Sequence, residues 1–273
     1  MFFRKTLLAT VIASAISIPT IVLADTAATA PAATLTSNMN IVSEYRFRGI
    51  AQTWGKPAIQ GGVDYAHPAG WYAGVWGSNV TERSYPGGNL ELDYYAGYNG
   101  KLSDDLGWTA GGYGYYYPGA NFNKSNAALY TTPNQKFDNF ELNAGVSWKY
   151  LSYKLSYATT DYFGANTSTG YTGDTDGTLY HDISANYPLA DTWTINAHLG
   201  HTNYRRKLSS GVNPNYTDYK LGITKTFKDG WLVSAAYVQA NNNTAYKHYP
   251  SLLSTATYDL NKGTAVVQLG RTF

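Results

Sequence analysis

From Asn38 to Phe273 apolar residues recur at every second position, and this period of two constrains the chain more than any other feature of it. Period two sends successive side chains to opposite faces of a strand. Leu90, Leu92, Tyr94, Ala96 and Tyr98 alternate with Glu91, Asp93, Tyr95, Gly97 and Asn99. Phe140, Leu142, Ala144, Val146 and Trp148 oppose Asn139, Glu141, Asn143 and Ser147, and Leu179, Ile183, Ala185 and Tyr187 oppose Tyr180, Asp182, Ser184 and Asn186. Met39, Ile41, Tyr45 and Phe47 against Asn40, Glu44, Arg46 and Arg48 read as the first strand, and Ala265, Val267, Leu269 and Phe273 as the last. About twelve strands of roughly ten residues follow, the length a tilted strand needs to cross a bilayer.

The links between strands alternate in length. Short turns fall near residues 68, 103, 150, 189 and 229, and longer polar links near 51–57, 81–88, 118–136, 164–177, 205–215 and 241–262. Short turns at one end and long loops at the other is the plan of an all-β, antiparallel transmembrane barrel, with the turns and both termini on the periplasmic side and the long loops extracellular. A soluble β-protein is the rival reading, because 26 Tyr, 27 Gly and a mean hydropathy of −0.33 suit either. Aromatic placement separates them. Tyr65 and Trp71, Tyr98 and Trp108, Trp148 and Tyr153, Tyr187 and Trp193, and Phe227 and Trp231 flank the five short turns on the apolar face. Strand propensity explains abundant aromatics but not this placement, which predicts a girdle at one membrane interface. Strict alternation turns Lys225 and Arg271 outward; both lie close enough to the periplasmic end to snorkel, and a register slip would also explain them.

Residues 1–24 read as a secretory signal peptide: Arg4 and Lys5 precede an apolar run that ends on Val22-Leu23-Ala24, with no charged stop-transfer flank. Residues 25–37 read as a flexible periplasmic leader and 38–273 as the barrel, placed in the outer membrane of a Gram-negative bacterium. The signal removes two of 20 basic residues and none of 18 acidic ones, so the remainder is neutral, which disfavours a nucleic-acid partner. No cysteine is available to staple the fold.

Several stretches, NIVSEYRFRGIAQ (Asn40 to Gln52), PAIQGGVDYAH (Pro57 to His67), WYAGVWGSNV (Trp71 to Val80) and ELDYYAGY (Glu91 to Tyr98), resemble the N-terminal signature of the TorF-type porins of proteobacteria, a family long of unknown function. The resemblance covers the mature chain and implies an outer-membrane barrel with a pore. It brings no substrate or catalytic motif. The alternation ending on Phe273 also resembles the signal read by the barrel-assembly machinery, which, with outer-membrane lipid, is an expected partner.

If the apolar set faces lipid, the alternate set lines the lumen. Its candidates are Glu44, Arg46, Arg48, Asp64, Glu91, Asp93, Glu141, Lys154, Asp182, Asp218 and Lys220, with Lys149 and the aromatics Tyr72, Trp76, Tyr113, Tyr115 and Tyr117. Acids facing bases across water would tune ion selectivity; the same groups locked in salt bridges would instead close the bore. Arg46 and Arg48 could hold an anionic solute or pair with an acid such as Asp64 on the next strand. His198 points inward while His181 and His201 point outward, so no histidine cluster forms, and no nucleophile elbow is present. Gly173 to Gly177, GDTDG, lacks the full ligand pattern of a calcium loop. The expectation is a passive channel for small hydrophilic solutes or ions, with no catalytic residues and no cofactor; the alternative is a closed barrel acting as a surface adhesion or scaffold protein through its extracellular loops.

Overall fold

A computed structural model describes residues 33–273; the expected signal peptide, and the leader up to residue 32, lie outside these residues. In chain order the strands are β1 (Thr34–Val42), β2 (Arg46–Phe47), β3 (Ile50–Ala51), β4 (Ala58–Ala66), β5 (Trp71–Asn79), β6 (Leu90–Lys101), β7 (Leu106–Tyr116) and β8 (Asn139–Trp148). They continue as β9 (Leu151–Ala158), β10 (Leu179–Ala190), β11 (Trp193–Asn203), β12 (Tyr216–Thr226), β13 (Trp231–Ala240), β14 (Tyr249–Pro250), β15 (Thr257–Tyr258) and β16 (Thr264–Thr272). Twelve of them, all but β2, β3, β14 and β15, form one closed antiparallel barrel in which β1 meets β16. Closure leaves no unpaired edge, as lipid requires.

Alternation sorts the side chains as the sequence demands. Ile41, Ile59, Val75, Leu92, Leu142, Leu221 and Val267 are exposed on the outer wall, whereas Asn40, Gln60, Glu91, Glu141, Asp182 and Asp218 are buried inside. An exposed apolar belt around a polar interior is stable only in lipid, so this is an outer-membrane barrel. The girdle is present at the short-turn end, where the Trp71 and Tyr98 rings meet edge-on at 5.0 Å and Tyr98 lies 5.6 Å from Trp108. Lys225 and Arg271 do face outward, with no register slip. The Lys225 ammonium lies 4.9 Å from the Trp193 ring, and the Arg271 guanidinium 4.7 Å from the Phe273 ring. Girdle aromatics and interfacial water thus share the two cations.

The first strand departs from expectation. Pairing begins at Thr34, where residues 34–37 of the segment read as leader lie against β4, and it stops at Val42, paired with Ala58. Glu44, Arg46 and Arg48 are therefore not on a wall strand. Residues 43–57 form a loop that folds into the lumen, with β2 and β3 as a minimal hairpin. The fold-back is made by Arg48 and Gly49, both at positive φ (47° and 76°), and a second reversal uses Trp54 and Gly55 (51° and 73°). Lys149 is likewise not in the lumen: at φ 53° it makes the turn between β8 and β9, exposed, 3.5 Å from Asp105.

Candidate functional site

The inward loop, met by charged strand residues, forms the candidate site. At its tip Gly49 lies against β12 so closely that a Cβ there would fall 2.6 Å from the Asp218 Cβ. Behind the tip, the Arg46 guanidinium donates to Glu44 at 2.8 and 3.0 Å and to the Leu260 carbonyl at 2.8 Å. Arg48 reaches across the bore and grips Glu141 on β8 with two bonds of 2.7 and 2.9 Å. The same guanidinium donates to the Tyr162 hydroxyl at 2.8 Å and stacks 3.9 Å from the centre of the Tyr180 ring. Burial pushes the Tyr162 phenol up to about 12, the Arg48 charge limiting the rise, so Tyr162 stays a neutral partner. A bidentate guanidinium–carboxylate pair with aromatic walls fixes the hairpin's position.

Asp64, the acid suggested as partner of the arginines, instead accepts from the Tyr95 hydroxyl on β6. On the opposite wall His198 bridges three strands: its Nε2 lies 2.9 Å from Asp218 on β12 and its Nδ1 3.3 Å from Asp182 on β10. His181 and His201 are outside, bonded to Tyr153 and Thr217. Lys154 pairs in register with Asp182, and Lys220 lies in the field of Asp182 and Asp218. Tyr72, Trp76, Tyr113 and Tyr115 face inward; Tyr117 lies beyond the end of β7, buried and stacked on Tyr85 at 4.4 Å. In the 173–177 segment Asp176 pairs with Arg205 at 2.9 Å.

Two properties of the lumen follow. Its charged set is Arg46, Arg48, Lys154 and Lys220 against Glu44, Asp64, Glu91, Asp93, Glu141, Asp182 and Asp218, an excess of three acids when His198 is neutral. Most of these charges lie toward the long-loop end. The short-turn half carries small or polar residues such as Gly74, Gly97, Thr109, Asn196 and Thr224 on inward positions, with Tyr72, Tyr95 and Leu232 buried among them. The hairpin divides the charged half into two cavities that share Arg48, one of about 30 Å³ toward β5–β10 and one of about 70 Å³ toward β11–β16.

The family description that matches this architecture is a bacterial protein of unknown function, Gcw_chp, over residues 26–273. The chain belongs to the Gcw_chp family. No curated protein matches it. Among solved structures, the NanC porin superposes on this Gcw_chp barrel with a TM-score of 0.52 at 11% identity, covering 88% of this chain and 99% of that one. The KdgM porin gives 0.47 at 9% identity, over 87% and 98% of the two chains, and an outer membrane channel from Pseudomonas putida F1 gives 0.47 at 13%, over 89% and 96%. The likeness to NanC is one of fold.

Sequence parity alone located the strand-borne candidates Asp64, Glu91, Asp93, Glu141, Lys154, Asp182, Asp218 and Lys220 on the inner wall, where they stand. It missed the partners that come from loops, Tyr162 above all. The signal available for the inward loop was Arg48-Gly49 followed by Gly55: a dense charge run ending in residues suited to positive φ is poor material for a wall strand.

Proposed function

We propose that this Gcw_chp protein is a porin-like channel of the TorF type, passing small hydrophilic solutes or ions by passive diffusion, with the lumen-facing charges named above as its lining. The observation that carries the reading is the lumen itself, a closed twelve-stranded barrel whose inward face is polar and charged and which holds two cavities beside the hairpin. A bore of twelve strands is wider than that of eight-stranded barrels, which side chains fill, and a polar lining suits water. The acid excess favours cations over anions in that water. Purified protein in a planar bilayer is expected to give single channels whose reversal potential in a salt gradient has the cation-selective sign. Neutralising Arg46 and Arg48 should strengthen that preference. An absence of conductance at every voltage would remove the channel reading.

A second reading draws on a specific observation as well. The long-loop half of the lumen is packed with the hairpin and an aromatic cluster that includes Phe47, Tyr115, Phe163 and Tyr117. A barrel shut there would act through its extracellular loops, in surface adhesion. The bilayer experiment separates the two.

A further inference from the structure

The outer wall carries a polar rim of its own, confined to one sector. At the long-loop ends of β1, β4, β6 and β7 the outward positions hold Ile41, Ile59, Leu90 and Tyr116, all exposed. At the matching ends of β10 and β11, His181 and His201 stand opposite one another in register, both outward. The His181 Nδ1 lies 2.9 Å from the Tyr153 hydroxyl and the His201 Nδ1 3.0 Å from that of Thr217, which leaves Nε2 of each ring without a partner among the described residues. Immediately past β11 come Arg205, Arg206 and Lys207, consecutive and exposed. Arg205 spends one nitrogen on Asp176, at 2.9 Å, and its side chain stays 46% exposed. Arg206 and Lys207 make no ion pair among the described residues. The acids of the facing 173–177 segment are Asp174 and Asp176, so the three cations are in excess by one.

Height above the periplasmic girdle decides what this rim meets. At ~3.3 Å per residue on a strand tilted by roughly 40°, His201 stands about 20 Å above the girdle residue Trp193, and Arg205 about 30 Å above it. The apolar band of such a barrel is about 25 Å tall. The histidines therefore lie just inside its outer edge and the three cations just beyond it, at the level of the lipid headgroups. Arg205 is turned to the lipid side there. A Cβ on Gly177 would meet its Cδ at 3.3 Å and the hydroxyl of outward-facing Tyr157 at 3.4 Å, so guanidinium stem and phenol are neighbours. Arg206 lies over Gly173, where a Cβ would fall 2.8 Å from its Nε. Toward the bilayer centre Ile183 and Leu199, paired across β10 and β11, are exposed.

We propose that the outer rim of β9 to β12 is a binding site for a phosphorylated glycolipid of the outer leaflet. Arg205, Arg206 and Lys207 take its phosphate oxygens, His181 and His201 meet its sugar hydroxyls, and its acyl chains lie against Ile183 and Leu199. Guanidinium N–H groups suit phosphate. An imidazole nitrogen suits a hydroxyl in either tautomer, because the hydroxyl both donates and accepts. A zwitterionic lipid brings a phosphate already matched by its own cation, and a soluble anion gains nothing from the apolar wall. The site lies outside the barrel, so it stands whether or not the lumen conducts.

The test is native mass spectrometry of the full-length protein in detergent, with diphosphorylated lipid A as probe. Its dephosphorylated form and phosphatidylcholine are titrated alongside. The expected result is one lipid A retained per barrel, bound at least fivefold more tightly than either comparison lipid. Arg205→Ala, Arg206→Ala and Lys207→Ala together should lower the affinity for lipid A fivefold or more. Lys56→Ala, Lys136→Ala and Lys247→Ala, at exposed positions of other loops, remove the same charge and should leave it unchanged. Lys207→Glu breaks no ion pair and keeps the main-chain bond from Thr172 at 2.9 Å. It should weaken lipid A about threefold, and it decides the matter if the triple loop variant loses heat-modifiable migration on gels. Equal retention of the dephosphorylated lipid, or full affinity in the variants of residues 205–207, overturns the site. So does an equal loss in the other triple variant, which would mean that net charge alone attracts the lipid.

Discussion

Arg48 illustrates how one side chain can set the shape of the lumen. Its guanidinium is 4% exposed, and both of its bonds to Glu141 form in a setting where neither charge has ready access to bulk water. Removing one partner of such a pair leaves the other buried and unmatched, at a cost of about 3 kcal/mol. Arg48→Ala should therefore destabilise the barrel by that order in urea unfolding from vesicles. The double variant Arg48→Met with Glu141→Met should recover most of the loss, because it buries no orphan charge. A single variant as stable as wild type would mean that water reaches Glu141 freely. At the other end of the chain, Phe273 is exposed on the outer wall while its backbone exchanges two hydrogen bonds with Ser37. We expect Phe273→Ala to lower the amount of barrel assembled in cells yet refold normally in detergent. A parallel loss in both assays would make the ring a packing residue rather than an assembly signal.

At the scale of the strand, the cost of a charge depends on depth. Leu221 lies mid-strand on the lipid face of β12, exposed, whereas Lys225 lies four residues on, among the rings of Trp193 and Phe227. Leu221→Arg should cost about 2–4 kcal/mol in folding into vesicles, the penalty of a cation near the bilayer midplane. Lys225→Leu should change stability by no more than about 0.5 kcal/mol, since an interfacial cation has little to lose. Equal effects at the two positions would contradict the placement of the girdle. The strands were legible for the same reason that these costs differ. Lipid on one side and polar lumen on the other impose opposite demands on adjacent residues, and a period of two records those demands directly.

For the molecule as a whole, the loop of residues 43–57 is the segment that crosses the bore, reaching Glu141 on β8. Val42 and Ala58 are paired in register, so a two-residue Asn-Gly turn can replace the whole loop without disturbing the wall. That deletion should raise single-channel conductance several-fold and abolish the contribution of Arg46 and Arg48 to selectivity. Unchanged conductance would place the narrowest point elsewhere. The sequence by itself determined the barrel: strand number, the end that carries the girdle, and the inward face of Glu91, Glu141, Asp182 and Asp218 all follow from alternation and turn length. It read Glu44 to Arg48 as wall because their alternation continues that of β1, and local periodicity cannot distinguish a strand from a hairpin that pairs with itself. The tertiary structure alone decided that this segment crosses the lumen. Its anchors, Glu141, Tyr162 and the Leu260 carbonyl, lie 93 to 214 residues away along the chain, and only barrel closure brings them within hydrogen-bonding reach.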